Sequence, residues 1–272
     1  MVNELEVGLF WWCFVAYSVA SAFHLVYLAV GRKPVARFAA AVMAAAFALQ
    51  TAGLVLRSLH LRHLPLTNMY EYISMFSWFA ALGYFVALAL WRNHAIGAFV
   101  GPCIFMLIAV ASLLPKQASM QLVPALQSWW LQIHVTLAAL GEAAFLVAFA
   151  CNVMYFVKTR LGTTRLAGRL PEAGALDRVG YKAVAVGYPL FTVGALFAGA
   201  IWAEQAWGSF WSWDPKEVGS LVVWLVYSAY LHARITRGWS GGKAAALSMI
   251  GFICTLLTFF ANMVLGGLHA YG

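Results

Sequence analysis

Apolar residues fill eight stretches of this chain, near residues 7–30, 35–56, 70–91, 95–114, 131–157, 184–205, 217–236 and 245–267, and the polar residues gather between them. Crossing the hydrocarbon core of a bilayer takes about 20 mostly apolar residues as a helix. The stretches have that length, and only helices or closed barrels satisfy the backbone in lipid. The pattern therefore predicts an all-α, polytopic integral membrane protein of about eight transmembrane helices, organised as a single domain over residues 1–272. The first stretch opens with Glu4 and Glu6 and lacks a basic leader and a small-residue cleavage pattern, so it reads as a retained span and not as a signal peptide.

Composition agrees. The chain is 64% hydrophobic and 10% charged, against about 25% charged in soluble domains. Its net charge of +8 would suggest a nucleic-acid partner in a soluble protein. Here the basic residues are explained by membrane orientation. All but Arg57, Arg62, Lys116 and Lys216 of the 17 Lys and Arg fall on one side of the predicted spans, and positive charge marks the cytoplasmic side. Both termini are thus expected on the outer side, with a basic loop at about 158–183 as the main cytoplasmic feature.

Cys13, Cys103, Cys151 and Cys254 fall singly inside the spans, without Cys-x-x-Cys spacing, and read as packing residues. Phosphate-binding glycine loops, zinc spacings and Ser/His/Asp patterns are absent. The tryptophans are more informative. Trp207, Trp211 and Trp213 stand with Phe210 in an outer loop spanning about 202–217. An interfacial belt explains isolated aromatics, but four within seven positions could form an apolar shelf for a flat aromatic ligand. The end of that loop also carries a helix-start pattern. Asp214 can cap the seventh span, Pro215 suits its first position and Glu217 completes a capping box.

Histidine is a common axial ligand of haem iron, and a polar side chain within a span is a functional candidate. His134 opens the fifth span and His269 follows the eighth, so both share the side of the aromatic loop. His24 and His232 reach similar depths near the other face at about 1.5 Å per residue. Any one of the four could be a hydrogen-bonded structural residue; two depth-matched pairs point to two ligand levels. His94, beside Arg92, reads as interfacial. Glu142 and Asn262 are expected to make hydrogen bonds between helices.

The run Trp207-Gly208-x-x-Trp211-x-Trp213-Asp214 resembles the tryptophan-rich "WWD" signature of haem-handling membrane proteins. Its extension Asp214-Pro215-Lys216-Glu217, the segment Pro65-Leu66-Thr67-Asn68-Met69-Tyr70-Glu71, Tyr230-Leu231-His232 and Gly266-Gly267-Leu268-His269-Ala270-Tyr271 resemble the CcsA/ResC family of System II cytochrome c biogenesis. The resemblance covers nearly the whole chain. It implies a holocytochrome c synthase (haem lyase) subunit that moves haem b to the outer face and joins it by thioether bonds to a Cys-x-x-Cys-His apocytochrome c. It implies His134 and His269 as the outer haem ligands beside Trp207, Trp211, Trp213 and Asp214, and His232 as an inner ligand, which His24 matches in depth. The implied partners are a separate CcsB/ResB-like membrane subunit, apocytochrome c and thiol-reducing proteins of the outer side, with no nucleic acid. The implied location is the bacterial inner membrane or an organellar equivalent. Gly219 departs from the family pattern, where a bulkier aromatic is common. Two alternatives stay open at this point, a CcmC-like haem-delivery protein and a bis-histidine membrane electron carrier.

Overall fold

A computed structural model describes residues 4–116, 122–265, 267 and 268. Every regular element among them is helical, and no strand occurs. Helices α1 (Glu4–Val30), α2 (Lys33–Leu61), α3 (Met69–Trp91) and α4 (Gly97–Leu113) precede the long α5 (Trp129–Leu161). Then come α6 (Ala173–Phe191), α7 (Gly199–Trp207), α8 (Pro215–Thr236) and α9 (Gly242–Leu265). A π-helical segment, Thr192–Ala198, joins α6 to α7 without a break. Eight of the described helical segments are long and apolar enough to cross a membrane, the sixth running continuously from Ala173 to Trp207. The chain is a multi-pass membrane protein.

Two boundaries differ from the sequence expectation. Most of the 158–183 region is helical: α5 continues to Leu161 and α6 begins at Ala173, leaving a shorter connection with a 3-10 turn at Ala167–Arg169. Hydropathy marks where apolar character ends, whereas helix hydrogen bonding continues through Arg, Lys and Ala beyond it. Likewise Trp202 and Trp207 lie on α7, so the irregular part of the aromatic loop is confined to residues 208–214.

The chain divides into two compact units. The first comprises Met1–Gln121 and Phe156–Glu172. In it α1 packs along α2, and α4 packs against both α1 and α3. Its interior is polar at two levels. Gln50 accepts from the Tyr17 hydroxyl and donates to the Ser74 carbonyl and Ser77 Oγ, at 2.7, 2.9 and 2.7 Å. Closer to the ends of these helices, buried Arg57 donates to Glu6 at 2.9 Å and to Glu71 at 2.9 and 2.8 Å. Glu71 in turn accepts from the backbone amide and hydroxyl of Thr67, while Asn68 caps α3 by accepting from the Glu71 amide. The Pro65–Glu71 segment is thus a helix start welded to a buried guanidinium, and its acceptors explain how Arg57 tolerates burial.

The second unit comprises Leu122–Tyr155 and Ala173–Gly272. Backbones approach closely where Gly141 of α5 meets Gly187 of α6: a Cβ on Gly141 would lie 2.9 Å from the Gly187 carbonyl. Small residues permit such contacts between membrane helices. Gly219 of α8 leaves room for a side chain of α9, since a Cβ there would fall 2.6 Å from Thr258 Oγ1. At the other end of α8, Arg234 pairs with Asp177 at 2.8 Å, and Asp177 also accepts from the Gly241 amide.

Candidate functional site

Of the residues expected around a haem, the second unit carries His134, Trp207, Trp211, Trp213 and Asp214; His134 and Trp207 each contact Trp202, while Trp211 and Trp213 pack together next to Asp214 in the loop. His134 projects from the first turns of α5. Its Nδ1 lies 2.9 Å from the Gly194 carbonyl, which makes the neutral ring the Nδ1–H tautomer and places the lone pair on Nε2. That is the arrangement of a metal-ligating histidine, in which one ring nitrogen donates to a backbone carbonyl and the other faces the metal. The ring stacks on Trp202, with centroids 5.8 Å apart and planes 11° apart. Trp202 is itself buried and donates from Nε1 to the Ala125 carbonyl at 2.7 Å. Trp202 stands at the edge of the aromatic loop in the sequence, and nothing in one sequence marks it as the plate beneath His134.

Trp207 meets Trp202 edge-on at 4.9 Å, and the chain then leaves α7 through Gly208. Phe210 and Trp213 expose 59% and 71% of their surfaces, and Trp211 packs edge-on against Trp213 at 5.8 Å. Trp213 has φ of +60°. A bulky residue in this left-handed region costs about 1–2 kcal/mol, so the surrounding structure must enforce it. The enforcement is visible in two carboxylates. Glu217 accepts from the backbone amides of Ser212 and Asp214, at 2.8 and 3.2 Å. Asp214 Oδ1 accepts from the Lys216 amide at 2.9 Å, completing the expected capping box at the start of α8. The other oxygen, Oδ2, accepts from the Leu268 amide at 2.6 Å. Asp214 therefore joins the aromatic loop to the segment after α9. Lys216 adds its charge near Asp214 and the buried Glu142.

His269 lies outside the described residues, as does the side chain of Asn262. His232 sits on an exposed face of α8 with Val218, Val222, Leu225 and Ala229 at helical spacing. His24 belongs to the first unit and is fully buried. Its Nε2 is 3.2 Å from the Tyr84 hydroxyl, its ring lies against Gly97, and its Nδ1 makes no hydrogen bond among the described residues. His94 lies near it. All four cysteines are reduced; Cys13 and Cys151 are buried, Cys103 and Cys254 partly so, as packing residues would be.

Comparison with known proteins gives this geometry a family. The family model described as "Cytochrome C assembly protein" matches residues 66–269. A "Cytochrome c biogenesis protein CcsA" from Gloeobacter violaceus is 32% identical over 317 residues, covering 95% of this chain and 94% of its own length. The chain belongs to the CcsA family of cytochrome c assembly proteins. Another member, from Chlamydomonas reinhardtii, is 37% identical over 219 residues, 77% of this chain and 61% of that protein. Among solved structures, "Cytochrome c Heme Lyase CcmF" superposes with a TM-score of 0.72 at 18% identity, covering 95% of this chain and 46% of the lyase. At that identity the likeness speaks to fold. The chain spans about three fifths of the algal relative and less than half of the lyase.

Proposed function

We propose that this chain is the CcsA-type subunit of a cytochrome c synthetase, presenting haem b at the outer face of a bacterial inner membrane, or an organellar equivalent, for attachment to apocytochrome c. The observation that carries the reading is His134, whose Nδ1 bond to Gly194 gives it the tautomer of an axial ligand beside a tryptophan-rich loop in a cytochrome c assembly protein. His134 and His269 are the residues that would hold the iron at the outer level. Trp207, Trp211 and Trp213 meet the macrocycle, and Asp214 supports the loop that carries them. His232 receives haem at an inner level, facing a CcsB/ResB-like partner; its apolar exposed stripe suits a helix of that subunit. His24 is a separate inner candidate, through Nδ1.

The chemistry is a thiol addition. Each substrate Cys S–H adds across a haem vinyl group: sulfur bonds to the vinyl carbon next to the ring, and hydrogen ends on the terminal carbon. No electrons are gained or lost overall, so the demands are reduced thiols, supplied by thiol-reducing proteins outside, and register between thiols and vinyls. Holding both reactants in place supplies much of the rate in such a step. The histidine of the Cys-x-x-Cys-His substrate then displaces one axial ligand and the product leaves.

The test is reconstitution. The chain is expressed with a CcsB-type partner and an exported apocytochrome in a host lacking cytochrome c maturation genes. Thioether-linked haem survives denaturing electrophoresis, so a haem-stained band at the cytochrome's mass is expected with both subunits and is lost with His134→Ala. Haem on the membrane protein without a stained cytochrome would favour haem delivery or electron transfer instead.

A further inference from the structure

We propose that the π-helical turn Thr192–Ala198 is the positioning element of the His134 ligand, acting through the Gly194 carbonyl and the missing side chain of Gly199. The proposal rests on the reading of His134 as a haem ligand and adds what sets its strength and angle. Residues five apart on an α-helix point about 140° away from each other at 100° per residue. A π turn bonds residues five apart, and here the Gly199 amide donates to the Gly194 carbonyl, which brings the two positions onto one side. That side faces His134. Gly194 receives the Nδ1–H at 2.9 Å with its second lone pair. A Cβ on Gly199 would lie 2.9 Å from His134 Nδ1 and 3.0 Å from Cε1, with Gly194 O next at 3.8 Å. Gly199 thus clears space for the imidazole and little else. One turn on, Trp202 lies nearly parallel to the ring.

Three constraints from one helix segment consequently fix the tautomer, the position and the plane of a single imidazole. π turns are rare and concentrate at functional sites. The Nδ1–H bond also makes the ring a stronger donor to iron; losing such a partner typically lowers metal affinity about 10–100-fold. Gly194 and Gly199 touch no substrate atom and are positioning residues.

The test replaces the ligand by a soluble one. Full-length His134→Gly protein is purified with haem and titrated with imidazole, 4-methylimidazole and 1-methylimidazole. Each can ligate iron, but 1-methylimidazole has no N–H for the Gly194 carbonyl, and 4-methylimidazole controls for its bulk. With affinities referred to haem in the same detergent, both N–H ligands should bind about 10-fold tighter than 1-methylimidazole. Equal binding by all three, or equal weakness of both methylated ligands, would overturn the role of the carbonyl while leaving His134 a ligand. Failure of all three to change the haem spectrum would instead remove the ligand reading, and this proposal with it. Independently, Gly199→Ala should keep wild-type yield and melting midpoint, yet weaken the six-coordinate spectrum and raise the iron's reduction potential. An unchanged spectrum and potential would refute the clearance argument.

Discussion

The carboxylate of Asp214 holds the Leu268 amide at 2.6 Å with one oxygen while its other oxygen caps α8. The residue after Leu268 in sequence is His269. One side chain therefore ties the aromatic loop to the start of the segment bearing the second proposed outer ligand. This separates two functions that sequence alone merges, since the capping box accounts for only one oxygen.

Substitutions at Asp214 should part them. Asp214→Ala removes the cap and should cost about 1 kcal/mol, seen as a lower melting midpoint in detergent. Asp214→Ser caps nearly as well but has a single oxygen and cannot reach both amides. Its midpoint is expected near the wild type, with faster hydrogen exchange at Leu268 and reduced haem retention. Full haem retention by the Ser variant would show that the Leu268 bond has no part in the site.

The buried charges of the first unit give a stability prediction. Arg57 is shared between Glu6 and Glu71, and stranding one member of a buried pair costs about 3–5 kcal/mol. Arg57→Ala and Glu71→Ala should each lower the yield of folded protein sharply, and the double variant should lose less than the two losses added. Strict additivity in a denaturation series would mean that the pair does not couple.

Much of the fold could be read from the chain because lipid imposes a length and a polarity that hydropathy reports directly; the eight spans follow from that. The capping box at Asp214 and Glu217 was equally readable, being a local pattern of side chains against nearby amides. Other features depend on which helices meet. Arg57 looked like a topological marker among the few charges of its side, and only packing shows it enclosed by Glu6 and Glu71. The π turn has no distinctive sequence, since Thr-Val-Gly-Ala-Leu-Phe-Ala would also serve as an ordinary apolar helix. The pairing of His24 with His232 came from depth alone. The structure shows one in a tyrosine-bonded core and the other on an exposed face.

That difference yields a test of the two inner candidates. Tyr84→Phe removes the hydroxyl beside His24 Nε2 while keeping the ring. If His24 is a structural residue, His24→Ala should lower protein yield, haem per folded protein should stay constant, and Tyr84→Phe should reproduce a milder form of the same loss. If His24 ligates haem, haem per protein falls instead. His232, exposed and without such a packing role, should behave oppositely on replacement by Ala: normal yield and depleted haem. Unchanged haem content in His232→Ala would remove the inner level from the proposal.

Trp213 offers the sharpest separation of a haem platform from an interfacial belt. Its backbone sits in the left-handed region at φ +60° while its ring is 71% exposed, so the protein bears strain to present a large aromatic surface that it does not itself bury. Glycine adopts that conformation without strain. Trp213→Gly should relieve about 1–2 kcal/mol in the folded state and give back about 0.5–1 kcal/mol through a freer unfolded chain, leaving stability equal to or slightly above the wild type. A belt residue would behave differently: its loss would weaken anchoring at the interface and leave haem untouched. The platform reading therefore expects Trp213→Gly to melt no lower than the wild type, to insert normally, and to lose both haem occupancy and cytochrome maturation, with Trp213→Phe recovering part of each. A variant that melts earlier but keeps its haem would assign Trp213 to the membrane interface.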